Sequence, residues 1–191
     1  MKLYLVRHGE TECNKKGVYM GSTDVPLNET GIRQGEILRE KLKDVRFDKI
    51  ITSPYSRAYK TAEIIAQENQ IEIDNKLTEI DFGVFEGLSY KEISKKYPKE
   101  VSFWSKDWIN VAPPQGEKFI DFYNRVVEAT NTIVSYNKDI LIVSHEGPLK
   151  VLISSMLKLP IEGFWNFRFN HGCYSVLEII DNHPVINAIN I

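Results

Sequence analysis

Two histidines close apolar runs in similar settings, Leu5-Val6-Arg7-His8-Gly9-Glu10-Thr11 and Ile142-Val143-Ser144-His145-Glu146-Gly147. An unprotonated imidazole nitrogen can attack phosphorus, and a guanidinium beside it, such as that of Arg7, disfavours the imidazolium by like-charge repulsion. Arginine also matches phosphate oxygens with its planar fork and can stabilise charge spread over them. Arg57, in Ser53-Pro54-Tyr55-Ser56-Arg57-Ala58, is a second such group. Phosphoryl transfer through histidine then needs an acid for the leaving oxygen. Glu79 is the preferred candidate, with Asp81 and Glu86 as rivals in Leu77-Thr78-Glu79-Ile80-Asp81-Phe82-Gly83-Val84-Phe85-Glu86-Gly87. A nearby phosphate raises a carboxyl pKa and nearby arginines lower it, so the residue types leave its direction open.

These groups meet only if the elements carrying them converge. Leu3 to Val6 reads as a buried strand, and Ile32, Leu38, Leu42 and Val45 put an apolar stripe on a helix over about 30–43. Asp48 to Thr52 is the next strand. Ser53-Pro54 reads as an N-cap followed by proline at the first helical position, opening a helix to about Glu68 with Arg57 in its first turn. A short strand is predicted over Leu77 to Ile80, placing Glu79 at its end, and a helix over about 89–97. A helix follows at 117–136, a buried strand at 139–144 and a helix at 147–157. A strand hairpin, 174–180 and 185–189, turns around Asn182-His183-Pro184. Alternating strands and helices predict an α/β fold, a three-layer α/β/α sandwich with a mostly parallel central sheet. In such sheets ligands bind at the carboxyl ends of the strands, so both histidines face one crevice. The helix N-terminus near Arg57 favours an anion from the same side.

The 191 residues suit one domain, 1–191, with a helical cap inserted at about 84–116 before the loop Pro113-Pro114-Gln115-Gly116. Its aromatics, Phe103, Trp104 and Trp108, would wall a pocket for a ring-bearing substrate. With 42% hydrophobic and 26% charged residues the chain is an ordinary globular protein. A net charge of −2 argues against nucleic acid as a partner. No apolar run approaches a membrane span, no signal-peptide core follows Met1, and Cys13 and Cys173 form no disulfide framework, so a cytoplasmic protein with reduced thiols is expected. Cys13 is read as a small buried side chain. No metal-ligand spacing, GxxxxGK[ST] loop or GxSxG elbow occurs, so the expected chemistry uses neither metal nor cofactor. His171 and His183 fall outside the motifs and are read as loop residues, His171 at most at the pocket rim. The C-terminal hairpin offers a sheet edge through which a homodimer could pair.

Leu5-Val6-Arg7-His8-Gly9-Glu10-Thr11 resembles the signature of the histidine phosphatase superfamily, which includes the cofactor-dependent phosphoglycerate mutases. Further segments match in order: Asn14, the Gly21 to Gly31 stretch, Ser53 to Ala58, Glu79 to Gly87, Pro114-Gln115-Gly116-Glu117 and Val143-Ser144-His145. The resemblance implies a phosphoglycerate mutase-like fold in which His8 is the phosphorylated nucleophile and Glu79 the proton donor. Arg7, Arg57 and His145 would bind the phosphoryl group, with Asn14 beside it. The catalytic set implied is His8, Glu79, Arg7, Arg57 and His145, and the substrate-binding set Arg7, Asn14, Gly21, Arg57, His145 and Glu146. Residues 17–27 and 79–87 look most like the α-ribazole phosphatase branch, whose substrates would be α-ribazole 5'-phosphate or adenosylcobalamin 5'-phosphate. The rivals are a broader phosphatase of phosphosugars, phosphoserine or nucleotides, a mutase, and a silent phosphate-binding module. One departure stands out: Glu146 occupies the place after the second histidine where the family usually has glycine. Its carboxylate would either disfavour a second anionic group on the substrate or point away from it.

Overall fold

The chain folds around a six-stranded sheet, and the computed structural model describes residues 1–191. The strands are β1 (Lys2–Arg7), β2 (Lys49–Thr52), β3 (Ile71–Ile73), β4 (Ile140–Ser144), β5 (Tyr174–Ile180) and β6 (His183–Ala188), in the order β3-β2-β4-β1-β5-β6. Neighbours from β3 to β1 pair in parallel, and the β5–β6 hairpin adds antiparallel strands at the β1 edge. Every residue of β4 is buried, as expected for a central strand covered on both faces. Alternate side chains separate the two cores. Ile140 and Ile142 join Leu3, Leu5 and Leu177 against α6 (Phe119–Ser135) and α7 (Glu146–Met156). Leu141 and Val143 join Val6 and Ile50 against α2 (Glu29–Leu42) and α3 (Ser56–Ala66). The result is a helix, sheet, helix sandwich, with a short α1 (Glu12–Lys16) following β1.

Three local expectations are corrected. Residues 77–80 form no strand. A 3-10 turn covers Asn75–Leu77, and the third strand is the earlier Ile71–Ile73, parallel to β2. The carbonyls of Lys76, Thr78 and Glu79 are taken by the guanidinium of Arg125 instead of a strand ladder. Ser53 does not cap α3. The helix begins two residues after Pro54, and Asp24, from another segment, accepts from the backbone N–H of Ser56 at 2.9 Å. The hairpin turns at Asp181-Asn182, both at positive φ (48° and 64°), the conformation of a tight primed turn. His183 and Pro184 therefore belong to β6, an edge strand where proline is tolerated.

The segment between β3 and α6 carries α4 (Tyr90–Lys96), opened by a capping box of Ser89 and Glu92, and α5 (Pro98–Lys106), opened by proline at its first position. They pack through Phe85, Ile93 and Val101, with Tyr19, Phe82 and Trp104 at the margin. Of the three aromatics expected to wall a pocket, Trp104 and Trp108 do so, whereas Phe103 faces solvent.

Candidate active site

His8 and His145 lie immediately beyond the carboxyl ends of the adjacent strands β1 and β4, with ring centroids 5.1 Å apart. The backbone N–H of His8 donates to the carbonyl of Ser144, so the two strand ends are tied together where the rings meet. The His8 ring is buried, and its Nδ1 lies 2.7 Å from the Gly9 carbonyl. A carbonyl only accepts, so Nδ1 carries the proton and Nε2 keeps its lone pair. Burial pulls the His8 pKa well below its ordinary value, and the charges of Arg57 and Arg7 pull it further. The imidazole is therefore neutral near pH 7, as a nucleophile must be.

Arg57 is 1% exposed, which a surface ion pair would not require. Its Nε donates to Nδ1 of His145 at 3.3 Å, and its Nη atoms donate to the carbonyls of Gly21 (2.7 Å) and Thr23 (2.9 Å). A guanidinium cannot accept, so Nε2 of His145 carries the ring proton and donates to Oγ of Ser53 at 2.8 Å. Burial, then His8, then Arg57 lower the His145 pKa well below the ordinary histidine value. The Gly21 segment thus touches the site through its backbone. The hydrogen bonds of Asn14 run to Thr11, three residues after His8, with which it forms the capping box of α1.

Glu79 reaches the same crevice from an irregular segment. Its carboxylate accepts from the backbone N–H of Gly147 at 3.1 Å and of Ile80 at 3.0 Å. The approach depends on glycine: a Cβ at position 147 would stand 2.1 Å from Oε1 of Glu79. Burial raises the pKa of Glu79, against those two hydrogen bonds and the charges of Arg57 and Arg7. Burial thus decides the direction that residue types alone left open. Arg125 holds the segment, donating to the three carbonyls named above and pairing with Glu117 at 2.7 Å.

Glu146 faces the site. Its carboxylate pairs with Nη1 of Arg7 and with Nζ of Lys150, each at 2.9 Å. Arg7 Nη1 also donates to the Phe169 carbonyl, whereas Arg7 Nε is buried without a hydrogen-bond partner. Beside Glu79 and Glu146 opens a cavity of about 270 Å³ walled by Tyr19, Phe82, Trp104, Trp108, Phe119, Phe164 and Trp165. No group of three or more His, Cys, Asp or Glu side chains is placed to hold a metal ion.

Three participants escape a reading of the sequence. Ser53 looks like a helix cap there and instead bonds His145. Arg125 lies in mid-helix with no motif around it. His171, expected at most at the rim, places Nδ1 2.6 Å from the His8 carbonyl and its ring 5.3 Å from that of His8. No local pattern marks Arg125 or His171, because the contacts span 46 and 163 residues. Cys13 is half-buried, not enclosed as expected, and His183 is exposed at the start of β6.

Residues 3–191 match the family model described as histidine phosphatase superfamily (branch 1). The adenosylcobalamin/α-ribazole phosphatase of Salmonella typhimurium is 34% identical, over all of this chain and 96% of the relative. Phosphoserine phosphatase 1 of Hydrogenobacter thermophilus is 32% identical, over all of this chain and 92% of the relative. Among solved structures, an α-ribazole phosphatase from Shigella flexneri superposes with a TM-score of 0.95 at 34% identity, covering all of this chain and 96% of that one.

Proposed function

Because the chain belongs to the histidine phosphatase superfamily and is a hydrolase of phosphate monoesters, we propose that His8 is its nucleophile and α-ribazole 5'-phosphate its substrate. One observation carries the site reading. A buried, neutral His8 with Nε2 unprotonated stands beside Arg7, whose Nε is a buried donor without a partner. An unpaired buried donor costs about 1–3 kcal/mol, which a phosphoryl oxygen accepting from it would relieve.

In the first step Nε2 of His8 forms a bond to phosphorus while the ester P–O bond breaks, and the proton of Glu79 passes to the leaving oxygen. Arg7 and Arg57 balance the charge on the phosphoryl oxygens, and His145, its ring 5.1 Å from that of His8, joins them by turning its Nε2–H from Ser53 to a phosphoryl oxygen while Arg57 holds Nδ1. In the second step water gives a proton to the Glu79 carboxylate and attacks phosphorus, releasing inorganic phosphate and neutral His8. Asn14 and Gly21 complete the phosphate end, Gly21 through the carbonyl that orients Arg57.

The leaving group occupies the aromatic cavity, and residues 84–116 serve as its cap. Stacking surfaces of this kind suit the base of a ribazole, and the names carried by the Salmonella and Shigella relatives support that substrate. The phosphoserine phosphatase at 32% identity supports a second reading, in which the alcohol is small and zwitterionic. We place the enzyme in the cytoplasm, where Cys13 and Cys173 remain free thiols, and read β6 as the edge through which two copies pair. No helix is long and apolar enough to cross a membrane.

The deciding measurement is kcat/KM for α-ribazole 5'-phosphate against phosphoserine, phosphosugars, nucleotides and phosphoglycerates. The ribazole ester is expected to lead the panel, and a lead for phosphoserine favours the second reading. Label from substrate, trapped by alkaline quench, is expected on His8 and absent in His8→Ala. A wild-type enzyme that never carries label during turnover would falsify the covalent route.

A further inference from the structure

We propose that Glu146 sets the leaving-group selectivity of the enzyme, turning it away from alcohols that carry a carboxylate or other anion and toward uncharged ones. This selectivity rests on the reading proposed above, in which His8 is the nucleophile and the leaving group occupies the aromatic cavity.

Three charged side chains line the aromatic cavity: Glu79, Glu146 and Lys150. The one cation among them is already committed. Lys150 Nζ sits 2.9 Å from Oε1 of Glu146, one turn away on α7, and it is held over the rings of Phe164 (5.2 Å) and Trp165 (5.7 Å). The other oxygen of Glu146 binds Arg7. The side chains of Arg7, Glu146 and Lys150 are 18%, 26% and 13% exposed, so solvent screens the pairs only in part. As the first residue of α7, Glu146 also has its charge favoured by the helix N-terminus.

A leaving group with its own carboxylate therefore meets two carboxyl groups and no unpaired ammonium. To gain Lys150 it must displace Glu146, leaving that carboxylate with Arg7 alone and facing the newcomer. An uncharged ring asks for neither and is received by the aromatic walls. The selectivity comes from a repulsive element added to an attractive pocket. The same Glu146–Lys150 pair also lines the neighbouring groove that contains Arg168, a guanidinium that does not line the cavity itself.

Two nearly isosteric esters isolate the charge: 4-carbamoylphenyl phosphate, which is neutral in its leaving group, and 4-carboxyphenyl phosphate, which is anionic. The wild-type enzyme is expected to prefer the amide by about tenfold in kcat/KM, the ratio worth about 1.4 kcal/mol. Glu146→Gln frees Lys150 and is expected to bring the ratio to about unity or reverse it. Lys150→Met removes the cation while keeping Glu146 and is expected to raise the preference. Opposite shifts from two neighbours on one helix are not what a shared structural defect produces. An unchanged ratio in Glu146→Gln, with the amide still turned over, overturns the selectivity role and leaves the phosphatase reading standing. Hydrolysis of neither ester by wild type, with no label on His8, overturns both.

Discussion

Burial raises the pKa of Glu79, although two backbone N–H groups and two guanidinium groups favour its ionised form. A carboxyl group so placed retains its proton for donation closer to neutrality than an exposed one does. Glu79→Gln is expected to lower kcat by about 10²- to 10⁴-fold on alkyl phosphates, whose leaving oxygens need the proton. The loss should be much smaller with 4-nitrophenyl phosphate, whose acidic phenol departs unaided; equal losses on both would argue that Glu79 only shapes the pocket. Gly147→Ala tests the same group through its neighbour. The added methyl carbon would lie 2.1 Å from Oε1 of Glu79, so the carboxylate must move. We expect a fall in kcat with phosphohistidine still formed from 4-nitrophenyl phosphate; an unchanged kcat would mean that the contact relaxes harmlessly.

At the scale of elements, strands β1 and β4 present their histidines directly, whereas Glu79 depends on a segment with little structure of its own. Arg125 of α6 supplies the order by donating to the carbonyls of Lys76, Thr78 and Glu79 and pairing with Glu117. Arg125→Met would leave partly buried carbonyls and one carboxylate unpaired, an expected loss of about 2–4 kcal/mol in denaturant unfolding. Its kcat should fall most for esters that need the acid, because Glu79 is no longer held against Gly147. A variant as stable as wild type would show that the segment holds itself. The start of α3 is organised in a similar way. Asp24 takes the N–H and hydroxyl of Ser56, at 2.9 and 2.8 Å, and so fixes the turn that delivers Arg57. Asp24→Ala is expected to cost about 1 kcal/mol, the usual worth of an N-cap.

For the molecule as a whole, the consequence of enclosing these groups is a pH dependence of stability. His8, His145 and His171 all have lowered pKa values, with burial the largest cause in each. Unfolding returns them to about 6.5, so below that pH the unfolded chain binds protons that the folded chain refuses. Stability is then lost as pH falls from about 6.5 toward the folded values, by about 1.4 kcal/mol per pH unit for each net proton taken up. Glu79 has the opposite sign, since its raised pKa lets the folded state hold a proton that the unfolded state releases. Three histidines outweigh one carboxyl group over the shared range. Tm is expected to be lower at pH 5.5 than at pH 7, with a shallower slope in His8→Ala, and a Tm independent of pH would contradict the enclosure of neutral imidazoles.

The residue types on which the proposed chemistry rests were legible in the sequence, because local patterns place them. A strand that ends in Arg-His-Gly, and another that ends in Ser-His, put two imidazoles at one edge of a parallel sheet whatever the details of packing. The apolar runs and helical stripes also identified the main layers, since their periods follow from backbone geometry. Contacts between distant segments were not legible. Ser53 reads as a cap until His145 arrives from 92 residues away, and Glu79 reads as a strand end until Arg125 takes its carbonyl. The direction of the Glu79 pKa and the orientation of Glu146 likewise depend on burial and on pairing across elements. For Arg7-His8-Gly9, the tautomer is set next door in the chain, by the Gly9 carbonyl at 2.7 Å, whereas tertiary structure decided the neutral state, through burial and the charge of Arg57, which only the fold brings to His8.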